Sequence, residues 1–281
     1  MAAERQSSDA FLVVSRLSKS YDVPRQSGGK LLAVDDVSFT LERDESLGIV
    51  GESGSGKTTV ARMLMGLEQA SGGTITVDGQ LRANGRVSLH ERRARARQLQ
   101  IVFQDPYSSL DPRQRVRDAL SEVVALHTPL DRKGRERRVH ELLNQVGLDD
   151  RMSRALPRDL SGGQRQRVAI ARALAVEPTV LVLDEAVAAL DVSVQAQVLN
   201  LLADIRANTQ VSYLFISHDL GVVRQVTDRA LVMRSGRCVE QGPTAEVLDH
   251  PTDTYTAELL ASVPRAGWTP RRRTALGASS Q

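Results

Sequence analysis

At 281 residues, with 41% hydrophobic and 25% charged side chains, the chain has the composition of one large globular domain, or of one domain carrying a helical insert. A net charge of +3 and only 3% aromatic residues argue against a nucleic-acid binder, which needs concentrated basicity and stacking platforms. The single cysteine, Cys238, excludes an internal disulfide and a cysteine-based metal or iron–sulfur centre. No apolar run approaches the ~18 residues of a membrane span. The short apolar stretch at 11–14 is too brief for a signal peptide, so a cytosolic chain is expected, with any membrane role passing through a partner.

In chain order, residues 11–14 read as a strand, followed by the segment 17–21, and 22–30 with its proline and paired glycines reads as a loop. Val37, Phe39 and Leu41 alternate with polar neighbours, as a half-buried strand does. A short apolar run then ends at Val50 and opens into Gly51-Glu-Ser53-Gly54-Ser55-Gly56-Lys57-Thr58-Thr59, after which residues 60–65 read as a helix. Strand, glycine loop and helix in that order are the context of a P-loop. Glycines at 51, 54 and 56 permit backbone conformations closed to other residues, so N–H groups of the loop can turn inward on phosphate oxygens at the positive end of the helix. Lys57 is placed to reach the β- and γ-phosphates and the Thr58 hydroxyl to ligate Mg²⁺. The chain is therefore expected to bind a nucleotide.

Ile75 and Val77 mark another strand, closed by a turn at Asp78-Gly79, so the front of the chain predicts a small antiparallel sheet attached to a nucleotide-binding core. Residues 82–97 are rich in arginine, poor in apolar side chains, and read as a solvated helix or loop. Strand character returns at 99–103, and 116–156 has helical texture, with Val139, Leu142, Leu143 and Val146 on one face and Gly147 as a stop. That block lies between two α/β stretches and predicts an inserted α-helical subdomain at about 114–160. Residues 162–176 read as a helix opened by Ser161 as N-cap. Residues 180–183 form a continuous apolar run of the kind found in buried parallel strands. A helix through Val194–Ile205 follows, then strands at 211–217 and 230–233 and a short helix at 256–261; residues 266–281, with Trp268 and three consecutive arginines, read as a loose basic tail.

The run at 180–183 delivers Asp184 and Glu185 at its C-terminal end, where doubly wound sheets hold their ligands. Asp184 is positioned to hold Mg²⁺ through water and Glu185 to polarise an attacking water. Leu160-Ser161-Gly162-Gly163-Gln164 opens a helix with glycine amides and reads as a second anion site. Since one P-loop already cradles the phosphates of one nucleotide, a second cradle makes sense for the nucleotide of another subunit.

With these residues in hand, the chain closely resembles the ATP-binding subunits of ABC transporters, over nearly its whole length. Residues 160–164 match the signature motif of that family in full. The resemblance implies that Tyr21 stacks on adenine and that Gln104 sits in the loop that senses Mg²⁺ and the membrane subunit. It also implies that His218, in Ser217-His218-Asp219, contacts the γ-phosphate, and that Asp191, in Ala189-Leu190-Asp191, belongs to the loop that communicates across a dimer. A narrower resemblance, to importers of oligopeptides, dipeptides and nickel, is carried by residues 102–113, by 190–195 and by a C-terminal extension at about 243–265. It includes His250-Pro251, Tyr255-Thr256, Leu259-Leu260 and Val263-Pro264. Ala186 and Ala188 depart from the family's usual proline and serine, and the lost hydroxyl weakens the expected coupling across the dimer.

What the resemblance implies is an α/β ATPase that uses ATP and Mg²⁺ at the cytoplasmic face of a membrane. It would pair head to tail with a second, related ATP-binding subunit and dock on two transmembrane permease subunits. A solute-binding protein outside the membrane would choose the cargo: peptides first, nickel or another small solute as the alternative. An ABC ATPase acting outside transport and a drug-exporter subunit are rival readings. The first usually carries two fused ATPase domains or a long coiled-coil insertion, the second a fused membrane domain, and neither is present.

Overall fold

The computed structural model of the chain describes residues 10–22, 29–82, 85, 87–105 and 109–262. The expected basic tail, Trp268, Val263-Pro264, and Pro106 and Tyr107 of the loop after Gln104 lie outside the described residues.

The chain begins with an antiparallel pair, β1 (Leu12–Asp22) and β2 (Lys30–Leu41). β3 (Ser46–Val50) then feeds the glycine loop and α1 (Lys57–Leu64), and β4 (Gly72–Val77) and β5 (Gln80–Leu81) form a hairpin. α2 (Leu89–Gln98) leads into β6 (Leu99–Val102). Helices α3 (Val116–His127), α4 (Arg132–Gln145) and α5 (Asp150–Ser153) and a 3₁₀ turn at Pro157–Asp159 come next. The second half runs α6 (Gly162–Leu174), β7 (Val180–Asp184), α7 (Val192–Thr209), β8 (Ser212–Ser217), α8 (Leu220–Val226) and β9 (Arg229–Arg234). β10 (Arg237–Pro243), α9 (Thr244–Asp249) and α10 (Thr254–Ala261) complete the described chain.

The strands make two sheets, an antiparallel one in the order β2-β1-β4-β5 and a six-stranded one in the order β10-β9-β3-β8-β7-β6. The larger sheet is parallel except for its edge strand β10. Its central strands are apolar on both faces because both faces are covered. Val180 and Val182 of β7 and Leu214 and Ile216 of β8 join Leu12, Phe39 and α1 in one core, which fills the space toward the antiparallel sheet. Their alternates Leu181, Leu183, Tyr213 and Phe215 face the other way and pack with α3, α4, α6, α7 and α8 in a second core. Each such fully buried large side chain contributes about 1.5–3 kcal/mol, so both layers are firmly held to the sheet. α2 buries none of its residues, in keeping with its arginine-rich sequence.

Three features differ from the sequence-based expectation. The two N-terminal strand segments are one strand, β1, whose register against β2 shifts between Val14 and Leu17, where Arg16 takes φ 49°. An irregularity of this kind breaks the alternation that marks a strand. β10 escaped notice because an edge strand, here largely half-exposed, carries no apolar alternation. α8 and α9, with seven and six residues, are too short to display a helical period.

Candidate functional site

β3 is hydrogen-bonded between β8 and β9, so the loop that leaves its C-terminal end is anchored from both sides. Gly51 has φ 149°, and a Cβ there would stand 2.2 Å from the Met233 carbonyl oxygen; at Gly56, with φ 103°, it would stand 2.4 Å from that of Ala33. Both positions demand glycine for conformation and for space. The first backbone bond of α1 runs from Val60 N to Gly56 O, and no side chain caps the helix. The N–H groups of Lys57, Thr58 and Thr59 are thus without a backbone acceptor, at the positive end of the helix dipole. Ser53 and Gly54 are exposed at the tip, while Ser55 is buried and its carbonyl accepts from Gly236 N at 3.0 Å.

Lys57 is 4% exposed, and its ammonium donates to the carbonyls of Gly51 and Glu52, both at 2.8 Å. Burial lowers its pKa below the usual lysine range, while the nearby carboxylates of Glu185 and Asp184 work in the opposite sense. Thr58 Oγ1 donates to Asp184 Oδ1 at 3.1 Å, which brings together two of the three residues expected at Mg²⁺, the third being Gln104. Burial pushes the Asp184 carboxyl up; the Thr58 hydrogen bond opposes this and the neighbouring Glu185 charge adds to it. A buried carboxylate so disfavoured in its charged form, beside a hydroxyl and below an anion cradle, has the donor chemistry that suits a hard divalent cation.

Glu185 lies just beyond the end of β7 with φ 50°, and its N–H donates to Ile216 O of β8 at 2.9 Å. That left-handed turn at the strand end brings its carboxylate to 3.4 Å from His218 Nδ1. His218 follows the end of β8 and is half exposed, held between Ser217, whose Oγ accepts from Asp219 N, and Asp219, which caps α8. Two adjacent strand ends thus present a carboxylate and an imidazole side by side next to the Thr58–Asp184 pair. Gln104 is exposed, two residues past β6 on the same edge of the sheet, and makes no hydrogen bond to Thr58, Asp184 or Glu185.

Tyr21 sits near the end of the β1–β2 ribbon, opposite Leu31, with Lys19 Nζ 4.8 Å from its ring centroid. Two residues along β2 from Leu31, Ala33 touches the glycine loop. The other predicted residues belong to a separate place. Ser161 caps α6 in a reciprocal capping box with Gln164: Gln164 N donates to Ser161 Oγ at 3.2 Å and Ser161 N to Gln164 Oε1 at 2.8 Å. The two glycines of this helix start differ in their surroundings. Gly163 is buried, and a Cβ on it would fall 2.3 Å from Val194 Cγ1 of α7, whereas Gly162 is half-buried beside Leu190. One glycine therefore serves helix packing. Asp191 is the exposed N-cap residue of α7, with no side-chain cap bond. Ala186 is buried and Ala188 exposed, so the hydroxyl missing at 188 is missing from the surface.

One edge of the sheet thus brings together the glycine loop with buried Lys57, the Thr58–Asp184 hydrogen bond and the Glu185–His218 pair, while the start of α6 belongs to elements of the other core. Sequence reasoning missed the part that backs the cradle: Met233 and Gly236 around the β9–β10 turn, and Tyr255 of α10, whose hydroxyl accepts from Glu52 N at 3.3 Å. No local signal announces contacts made across some 200 residues of chain.

Comparison with known proteins gives three kinds of match. A family model described as ABC transporter covers residues 34–188, a span that contains the glycine loop, Gln104, residues 161–164, Asp184 and Glu185, and stops before Asp191 and His218. A putative peptide import ATP-binding protein of Brucella abortus is 49% identical over 244 residues, which is 86% of this chain and 73% of that protein. An oligopeptide transport ATP-binding protein of Bacillus subtilis is 42% identical over 257 residues, 91% of this chain and 83% of its own length. Among solved structures, a dimeric ATP-binding cassette in a post-hydrolysis state, bound to ADP and Pi, aligns with a TM-score of 0.71 at 26% identity, over 83% of this chain and 98% of that one.

Proposed function

The chain belongs to the ABC transporter family, and from that premise we propose that it is the ATP-hydrolysing subunit of an importer for peptides. The observation that carries the reading is the convergence at one sheet edge of buried Lys57, the Thr58–Asp184 hydrogen bond and the Glu185–His218 pair. The triphosphate lies along the loop 51–59, its oxygens on the free N–H groups that start α1 and its β- and γ-phosphates met by Lys57. Tyr21 stacks on the adenine. Thr58, Asp184 and Gln104 would hold a magnesium ion, which would screen the phosphate charge. Glu185 accepts the proton of the attacking water, and His218 contacts the γ-phosphate and orients Glu185. Relatives named for peptide import support the cargo class.

Ser161, Gly162, Gly163, Gln164 and Asp191 act on the nucleotide of a second ATP-binding subunit. Two ATP molecules are sandwiched head to tail, and loss of the γ-phosphate reopens the pair. The post-hydrolysis neighbour, being dimeric, supports this arrangement. No helix of the described residues is long and apolar enough to cross a membrane. On this reading membrane association at the cytoplasmic face runs through permease subunits, which the loop after Gln104 and the helical block at about 114–160 meet. The described part of the extension at about 243–265, namely the end of β10 with α9 and α10, completes the ATP-binding domain.

Changing Glu185 to Gln tests the chemistry. ATP affinity should stay close to that of the parent while turnover falls at least about a hundredfold, the usual size of a lost general base. Steady-state hydrolysis and nucleotide binding, measured in a complex whose partner site is disabled, decide it; near-normal turnover removes Glu185 from its role.

A further inference from the structure

α10, the last helix of the described residues, is tied to the glycine loop. Tyr255 is 4% exposed, and its hydroxyl accepts the N–H of Glu52, 203 residues earlier in the chain, at 3.3 Å. That N–H belongs to the peptide unit joining Gly51 and Glu52. The carbonyl of the same unit, Gly51 O, accepts from Lys57 Nζ at 2.8 Å. Tyr255 and Lys57 therefore grip the two poles of one peptide plane, the plane at which the strand β3 becomes the glycine loop.

The position of Tyr255 is itself specified by several contacts. The Arg234 guanidinium lies 4.6 Å from its ring centroid. Arg234 ends β9 and is followed by the turn whose Gly236 N–H donates to Ser55 O. Glu240 of β10 accepts from Thr252 N at 2.7 Å, from Thr252 Oγ1 at 2.8 Å and from Asp253 N at 3.3 Å, and Asp253 caps the start of α10 through Tyr255 N at 2.8 Å. β10, the approach to α10 and the tyrosine ring form a brace with its end on the loop.

We propose that Tyr255 is a positioning residue for the ATPase: its hydroxyl fixes the Gly51–Glu52 peptide so that the loop keeps its phosphate-binding shape when Lys57 leaves Gly51 O for the phosphates. The inference rests on the nucleotide reading of the loop. It makes α10 part of the nucleotide site, and by reciprocity nucleotide binding tightens α10.

The test uses the full chain and its Tyr255→Phe variant, which keeps the ring and its stacking on Arg234 and deletes the one acceptor. Loss of a single hydrogen bond should raise the ATP Kd and KM about two- to tenfold. At saturating ATP, kcat should remain within about twofold. An unchanged KM, or a fall in kcat alone, overturns the proposal. If the variant does not fold, amide hydrogen exchange on the parent chain decides instead: ATP should slow exchange at residues 254–261, and unaltered exchange there overturns the proposal. A parent chain that binds no ATP at all would refute the nucleotide reading itself, which is a separate result from a Tyr255→Phe variant that matches a parent able to bind.

Discussion

Asp184 sets burial against charge: it is 4% exposed, stands beside Glu185, and is raised above the ordinary carboxyl range by its burial. A carboxyl raised in the folded state favours folding when it is protonated, and that contribution is lost as pH rises through its folded pKa. Asparagine at 184 imitates the protonated form. Asp184→Asn should therefore raise the melting temperature of the nucleotide-free protein at neutral pH, by a margin that shrinks to nothing as pH falls below about 4, the unfolded value of a carboxyl. Thermal melts across that range check the sign, and the same variant should lose Mg²⁺-dependent hydrolysis. The sequence showed both acids at a strand end next to a P-loop, because residue type and order suffice for that. It did not show that Glu185 adopts φ 50° and turns toward His218, since that conformation is imposed by the hydrogen bond to β8.

At the level of elements, α6 joins the helical layer to the sheet, and its first turn is held against α7 through Gly163. Alanine is the better helix former by roughly 0.5–1 kcal/mol, but its Cβ would press on Val194, and overpacking of that kind costs about 1–3 kcal/mol. Gly163→Ala should lower the melting temperature, and adding Val194→Ala should recover most of the loss. A double-mutant cycle read by thermal melts should return a coupling of at least about 0.5 kcal/mol; simple additivity would show that the two residues do not press on one another. The helix and its N-cap were legible from Ser161 and the apolar periodicity. The burial of one glycine was not, because its neighbour comes from a helix 30 residues away. β10, α8 and α9 stayed hidden for a different reason: short or edge elements leave no period in the sequence.

For the whole molecule, the glycine loop and the start of α6 are distinct surfaces, carried by elements that pack into different cores. If each serves a different nucleotide, damage to one should spare binding at the other. Ser161→Arg puts a long cation where the capping box stands, so ATP should still bind to this chain's loop while hydrolysis fails at the partner's site. Pairing that variant with a partner subunit whose own P-loop lysine is changed to alanine, and separately adding Lys57→Ala to the Ser161→Arg chain itself, gives the check. A pair with both defects confined to one composite site should retain about half the parental rate, and a pair with defects spread over both sites should retain almost none. Isolated monomers turning over at the full rate would defeat the shared-site arrangement. The antiparallel sheet attached to a nucleotide-binding core could be anticipated from strand patterns and the P-loop. The brace from α10 to the loop could not, being a tertiary contact with no counterpart in local sequence.

The placement of β3 also dictates an order of assembly. Its two neighbours, β8 and β9, are the segments Ser212–Ser217 and Arg229–Arg234, so the strand that bears the loop has no hydrogen-bonding partner in the large sheet until most of the chain has been made. During synthesis from the N-terminus the antiparallel sheet and α2 can form early, whereas the loop waits for residues more than 160 positions downstream. A nascent chain released before residue 212 should bind no ATP-agarose, and binding should appear only once β9 and its turn have emerged from the ribosome. An incomplete chain would then lack a finished glycine loop whatever else had folded, because the strands that anchor β3 are among the last to be made.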